Sequence, residues 1–157
     1  MLQRIQTVYL LLAVAFITLS MTLPLAFYSN LIQGQQFNYT IIGFLQPKDA
    51  FAQGFNSLPM FIFASISILI SMITVFSFKK RKFQLKLCVF NVVAILFYIG
   101  VVAYYFYTLS SGASGSDVIL TLKYPLIFPP IALIFILLAM RAISKDEKLV
   151  KSLDRLR

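Results

Sequence analysis

The chain has 157 residues, of which 60% are hydrophobic and only 12% are charged. Soluble domains carry about a quarter charged residues, so this composition excludes an ordinary soluble globule and requires an apolar solvent. The chain has no histidine and one cysteine, Cys88, which excludes histidine-based catalysis, most zinc sites and an internal disulfide.

The net charge of +9 is distributed unevenly along the chain. Twelve of the 14 Lys and Arg residues lie before the first of four apolar runs, between the second and third, or after the fourth. Cations near membrane spans are retained on the cytoplasmic side. We therefore predict an all-α membrane protein, a four-helix transmembrane bundle with both termini in the cytoplasm, and no nucleic-acid partner.

The first predicted span covers residues 5–28 and is followed by an outer loop over residues 29–57. Within this loop Phe37, Tyr39 and Ile41 alternate with polar residues, which is typical of a short β-strand over residues 35–42. We predict a short outer β-hairpin in which this strand pairs with Leu31-Ile32 and the chain turns near Gln33-Gly34.

The second predicted span covers residues 58–78, with Pro59 in its first turn, where the missing N–H costs nothing. Small and polar residues share one face of this span, and Asn91 lies about one turn inside the next. Small residues let helices approach closely in lipid. This pattern predicts a helix-packing seam, with a polar transport path as the alternative; its residues are Ala64, Ser67, Ser71, Thr74 and Asn91.

A basic connection over residues 79–86 predicts that spans two and three form an antiparallel hairpin. Its cations are expected to contact anionic lipid headgroups, at about 1 kcal/mol per residue near the surface; the candidates are Lys79, Lys80, Arg81 and Lys82. The third predicted span covers residues 87–108. Tyrosines concentrate in its outer half and are expected to be interface anchors; they are Tyr98, Tyr104, Tyr105 and Tyr107.

A second outer loop is predicted over residues 109–123, and the fourth span over residues 124–142. Pro129-Pro130 lies inside that run and is expected to kink the helix. The tail, residues 143–157, is predicted to continue as a basic helix. This helix either lies on the membrane or docks on a partner, or it is a solvated extension of span four.

The predicted spans contain no Asp or Glu, which disfavours an ion-coupled carrier. The sequence contains no paired carboxylates, metal-ligand cluster or phosphate-binding glycine loop. We therefore expect no enzyme activity, cofactor or metal, and partners limited to the bilayer and other membrane proteins. The leading hypothesis is an accessory or scaffold subunit of a larger complex. The alternatives are a small transporter or lipid-handling protein, and then an enzyme acting on lipid.

Both ends of the chain resemble a known family. The opening MLQRIQTVYL, and in the closing segment Arg141-Ala142-Ile143, Lys145-Asp146-Glu147 and Ser152 with Asp154-Arg155-Leu156-Arg157, resemble the family called domain of unknown function 4293. Its members are small four-span inner-membrane proteins found chiefly in Bacteroidota, and Leu2 departs from the more usual Ile. The resemblance implies a location in the cytoplasmic membrane of a Gram-negative cell, and it implies no activity.

The two ends that carry this resemblance meet at the predicted cytoplasmic face. They predict an interaction face formed by Gln3, Arg4, Gln6, Asp146, Glu147, Asp154 and Arg155. Arg4 is expected to pair with one of the three carboxylates, because exposed charges further apart than about 8 Å are screened by salt.

Overall fold

The structure is a computed structural model, and it describes residues 3–30, 35–40, 43–45, 58–77, 81–113 and 118–154. Among these residues four helices are long and apolar enough to cross a membrane, which is the number of such helices predicted from the sequence. They are α1 (Gln3–Thr22), α2 (Leu58–Phe76), α3 (Arg81–Ala113) and α4 (Phe128–Asp154).

The helices form a ring in chain order. Helix α1 packs against α2 and α4, and α3 packs against the same two helices, so α1 and α3 face each other diagonally. Successive helices run in opposite directions because the chain connects them at alternate ends. We call the end with the start of α1, the α2–α3 connection and the end of α4 the basic end.

The opposite end carries a four-stranded antiparallel sheet, and we call it the sheet end. Its strands are β1 (Ala26–Asn30), β2 (Gln35–Thr40), β3 (Gly43–Leu45) and β4 (Val118–Leu122), in the order β3-β2-β1-β4. Strand β1 pairs with β2 from Ala26↔Tyr39 to Asn30↔Gln35. On its other side β1 pairs with β4, from Ala26↔Leu122 to Asn30↔Val118.

The sheet differs from the predicted outer hairpin. The predicted strand over residues 35–42 corresponds to β2, whereas its predicted partner, Leu31-Ile32, lies outside the described residues. Within the described chain β2 pairs with β3 and with β1, and the first three residues of β1 belong to the predicted span one. Helix α1 ends earlier than predicted, at Thr22, because Pro24 has no N–H to donate and disfavours helical geometry at Leu23.

The start of α4 corrects a second prediction. Pro129 and Pro130 do not kink the helix from within, because a 3₁₀ turn over Tyr124–Ile127 precedes them and α4 begins at Phe128. Both prolines therefore occupy the first helical turn, where a backbone N–H has no intrahelical acceptor. The start of α3 also differs from the prediction. This helix begins at Arg81 rather than at residue 87, so residues 81–86 of the predicted basic connection form its first turns.

The core is built from small and aliphatic side chains between the helices. A large cluster fills the middle and the sheet end, and its fully buried members include Ala64, Ile95, Tyr98 and Ile136. A smaller cluster lies nearer the basic end and contains Leu10, Cys88, Ala139 and Ile143. Large apolar side chains point outward along all four helices, as expected for a bundle whose solvent is lipid.

Candidate functional site

Three buried polar side chains of α3 are spaced seven residues apart. Gln84, Asn91 and Tyr98 are two helical turns apart and therefore lie on one face. All three are buried, although a polar group in an apolar environment is costly unless it is hydrogen-bonded. We call these three residues, together with their hydrogen-bond partners, the polar seam.

Asn91 lies at the centre of the polar seam and satisfies both ends of its amide on α2. Its Oδ1 accepts a hydrogen bond from Ser67 Oγ at 2.5 Å, and its Nδ2 donates to Ser71 Oγ at 2.6 Å. Ala64 and Thr74 are buried on the same face of α2. The five residues of the predicted packing seam therefore all lie between helices, and three of them form one hydrogen-bonded chain.

The other two members of the polar seam bond in different directions. The hydroxyls of Tyr98 and Ser20 are 2.8 Å apart, which joins α3 to α1 across the bundle. Gln84 Nε2 donates to the carbonyl oxygen of Thr74 in the last turn of α2, at 3.1 Å. The prediction that Tyr98 anchors the protein at the membrane–water interface is therefore wrong, because its side chain is buried and its hydroxyl is bonded inside the bundle. Tyr104 and Tyr107, in contrast, are exposed.

Hydroxyls that face away from the core bond differently from the serine hydroxyls of the polar seam. Thr18 Oγ1 donates to the carbonyl of Val14, Ser77 Oγ to that of Ile73, and Ser111 Oγ to that of Tyr107. Each bond stays within one helical turn, so the hydroxyl is satisfied without a neighbouring helix. These outward-facing hydroxyls thus make no contact between helices, whereas the hydroxyls of Ser20, Ser67 and Ser71 each bond to another helix.

At the basic end Asp146 is buried and joins three elements. Gln6 Nε2 of α1 donates to Asp146 Oδ2 of α4, and an Arg81 guanidinium N–H of α3 donates to the Asp146 carbonyl oxygen at 3.0 Å. Gln6 and Asp146 are only 5% and 6% exposed, so neither is available to a partner. This corrects their assignment to an exposed interaction face. The contact between the start of α1 and the last part of α4 that the structure describes is made by Gln6 and Asp146.

Among the other members of the predicted interaction face, the structure describes the side chain of Glu147 alone. Glu147 is partly buried and already has an interaction within the protein. The side chains of Gln3, Arg4 and Asp154, and all of Arg155, lie outside what the structure describes. The expected Arg4 ion pair therefore stays a prediction.

The cations of the basic end divide into two groups. Among the predicted lipid contacts, Lys79 and Lys80 lie outside the described residues, Arg81 is partly buried and Lys82 is exposed. Exposed cations also occur at Lys86 on α3 and at Arg141, Lys145 and Lys148 on α4. The last three are spaced four and three residues apart, so they form a stripe on one face of α4.

The described surface also has an apolar groove of about 410 Å³ on the outward face of α3. Its lining is Val93, Leu96, Phe97, Gly100, Val101 and Tyr104. Phe97 is held by a stacked ring from α2, Phe63, with centroids 5.6 Å apart. The groove opens outward toward lipid and not into the space between the helices.

The polar seam, the buried Asp146 and the four apolar helices occur in a chain that matches a family model along nearly its whole length. The family model described as "Domain of unknown function (DUF4293)" matches residues 2–156. The chain belongs to the DUF4293 family. This confirms the resemblance found at the two termini, and DUF4293 membership brings no activity with it. A search of curated proteins gives no match.

Sequence reasoning missed two parts of this site. The heptad spacing of Gln84, Asn91 and Tyr98 was visible, but only Asn91 was selected, because Gln84 lies in the predicted loop and tyrosines are common at interfaces. The groove had no sequence signal, because Gly100 in an apolar helix is unremarkable until its surroundings are known.

Proposed function

We propose that this membrane protein is a non-enzymatic accessory or scaffold subunit of a larger assembly in the bacterial cytoplasmic membrane, with its basic end in the cytoplasm. The observation that supports this best is that polar side chains between the described spans are hydrogen-bonded within the protein. Asn91, Tyr98, Gln84 and Gln6 all have partners on another helix. Polar groups that are engaged in hydrogen bonds between helices are not free to act on a substrate.

The same pairing weakens the alternative of a transporter. That hypothesis relied on a serine-lined span and a proline kink. Ser67 and Ser71 are bonded to Asn91, and the two prolines begin α4 without kinking it. The side chains between the helices at mid-height, including Ala64, Ile95 and Ile136, are fully buried. A continuous polar path would have to displace this packing.

The surface best suited to a protein partner is the cationic stripe of α4. Arg141, Lys145 and Lys148 project from a helix that continues to Asp154, beyond its apolar stretch. A stripe of cations on an extended helix is complementary to an acidic surface at the membrane boundary. We therefore propose that the partner presents acidic side chains at this level.

The experiment is quantitative co-purification from native membranes after mild cross-linking. The tagged wild-type chain is compared with a variant carrying Arg141→Gln, Lys145→Gln and Lys148→Gln, and with a matched control, Lys82→Gln with Lys86→Gln. We expect a reproducible set of membrane proteins with the wild type and the control, and about tenfold less with the α4 variant, because each rim charge contributes roughly 0.5 kcal/mol.

Two results would contradict this proposal. The first is a purified chain that is only monomeric and captures nothing reproducibly in either direction of a reciprocal pull-down. The second concerns orientation and is tested with C-terminal fusions, because green fluorescent protein folds in the cytoplasm and alkaline phosphatase is active outside it. An active phosphatase fusion would place the basic end on the wrong side.

A further inference from the structure

We propose that the outward face of α3 is a binding site for one anionic phospholipid, with the headgroup at Lys82 and Lys86 and an acyl chain in the adjacent groove. The site does not depend on the proposed scaffold role. It is carried by the alignment of two exposed cations with an apolar groove on a single face of one helix.

The alignment follows from the spacing along α3. Lys82, Lys86, Val93, Phe97, Gly100 and Tyr104 are separated by four, seven, four, three and four residues. All these intervals are close to whole turns of an α-helix, so the six residues form one stripe. All six are exposed. The cations therefore lie directly in line with the groove.

The distances along the helix suit a lipid. At 1.5 Å per residue, Val93 lies about 10 Å and Phe97 about 16 Å from the level of Lys86. One leaflet of the hydrocarbon core is about 15 Å thick, so the first half of the groove lies at the depth of an acyl chain whose headgroup is beside Lys86. The long lysine side chains can reach a phosphate while their stems remain on the apolar surface.

The charges on this face favour an anion. Helix α3 contains Arg81, Lys82 and Lys86 and no acidic residue. Within the part of the chain that the structure describes, neither Lys82 nor Lys86 makes a hydrogen bond or ion pair. A cation near the membrane surface favours an anionic lipid by about fivefold in association constant. Two lysines at one headgroup position thus select phosphatidylglycerol over phosphatidylcholine.

The chain has no tryptophan, so one introduced indole can report the lipid beside it. The Phe97→Trp variant is reconstituted in phosphatidylcholine vesicles containing phosphatidylglycerol with brominated acyl chains, which quench indole fluorescence on contact. Leu69→Trp, on the exposed face of α2, is the matched reporter outside the groove. We expect phosphatidylglycerol to be preferred at least fivefold at the groove reporter and about equally with phosphatidylcholine at the α2 reporter.

Two further variants in the Phe97→Trp background separate headgroup from tail. Lys82→Gln with Lys86→Gln should abolish the preference, whereas Lys145→Gln with Lys148→Gln should preserve it. Gly100→Leu should also reduce it, because a Cβ at Gly100 meets no heavy atom within 4 Å and a helical Leu side chain leans toward Phe97. Ala103→Leu, on the exposed surface outside the groove lining, should leave the preference unchanged.

Three outcomes would overturn the proposal. The two reporters could show the same preference, which would mean general attraction to the basic end. The preference could survive loss of Lys82 and Lys86. The groove reporter could be shielded from brominated lipids of both headgroups, which would mean that a protein helix, such as one from a second copy, covers the groove.

Discussion

The two antiparallel helix pairs that carry most of the interior, α2–α3 and α1–α4, are joined by different chemistry. Between α2 and α3 the contact is made mainly by small residues and by the hydrogen bonds of Asn91 with Ser67 and Ser71, with one stacked ring pair, Phe63–Phe97, beside them. Between α1 and α4 it is made mainly by aromatic rings, with the hydrogen bond from Gln6 to Asp146 at the basic end. Phe16 stacks on Phe135 with centroids 5.6 Å apart, and it also contacts Phe128.

This difference shows two solutions to one problem. Lipid tails are as apolar as leucine, so burying apolar surface between helices gives little driving force in a membrane. Ring contacts supply shape-specific attraction, and Tyr9 extends the α1–α4 ladder to Phe135 at 6.3 Å. Hydrogen bonds add a register, because a shift of one residue would leave Asn91 opposite the wrong side chains. We therefore infer that α2–α3 defines the register and α1–α4 closes the ring around it.

The largest effect is expected at Ala64, a small residue buried between helices. Ala64→Leu adds three carbons to a fully buried position on α2. Overpacking typically costs 1–3 kcal/mol, and we expect the free energy of unfolding to fall by about 3 kcal/mol because both neighbours are helices in fixed register. The measurement is unfolding in mixed micelles with increasing SDS. Ala15→Leu, on the exposed face of α1, is the control and should change stability by less than about 0.5 kcal/mol.

The second effect tests the aromatic pair. Phe135→Ala removes the ring that contacts both Phe16 and Tyr9, and we expect a loss of about 2 kcal/mol. This is less than the 3–5 kcal/mol of soluble cores, because transfer of the side chain from water contributes little in lipid. Phe90→Ala, which removes an equally large but outward-facing ring, is the matched control. Equal losses at the two positions would refute an aromatic contribution to the α1–α4 contact.

The spans were predictable from the sequence, and the physical reason is that length and hydropathy alone decide whether a helix fits the bilayer. The sheet was harder. Val118–Leu122 is a short run of aliphatic and β-branched residues typical of a strand, but its partner β1 lies more than 80 residues earlier in the chain. The first three residues of β1, Ala26 to Tyr28, also continue the apolar run of α1, so only Pro24 indicated that the helix would stop.

The site divides in the same way. Ala64, Ser67, Ser71 and Thr74 could be selected because helical spacing places small residues on one face. The hydrogen-bond partner of a polar residue could not be predicted in this way, since pairing depends on which helices face each other. Arg4 was expected beside Asp146, Glu147 or Asp154 on the basis of charge; its side chain lies outside what the structure describes, and the α1 side chain that the structure places on Asp146 is Gln6. A neutral amide can approach a buried carboxylate without burying a second charge, which lowers the desolvation cost.

A smaller effect is expected at the centre of the polar seam. Asn91→Leu removes two hydrogen bonds, and we expect a loss of about 1–2 kcal/mol, because interhelical hydrogen bonds in membranes average roughly 0.6 kcal/mol each. The check is a double-mutant cycle with Ser71→Ala, followed by the same SDS unfolding. Coupling of roughly 0.5 kcal/mol or more supports a direct bond. Additive effects would show that Asn91 acts through its volume alone.

The smallest effect is expected at the diagonal contact. Tyr98→Phe removes only the hydroxyl that bonds Ser20, and the vacated serine can turn back to a carbonyl of its own helix, as the outward-facing hydroxyls do. We therefore expect a loss of about 0.6 kcal/mol, against no change for Tyr104→Phe on the exposed face. A loss of stability equal to that of the control would show that the Tyr98–Ser20 hydroxyl pair does not stabilise the bundle. A loss above about 1.7 kcal/mol would exceed known membrane hydrogen bonds. It would mean that this contact between helices that are not ring neighbours also holds the two pairs in alignment.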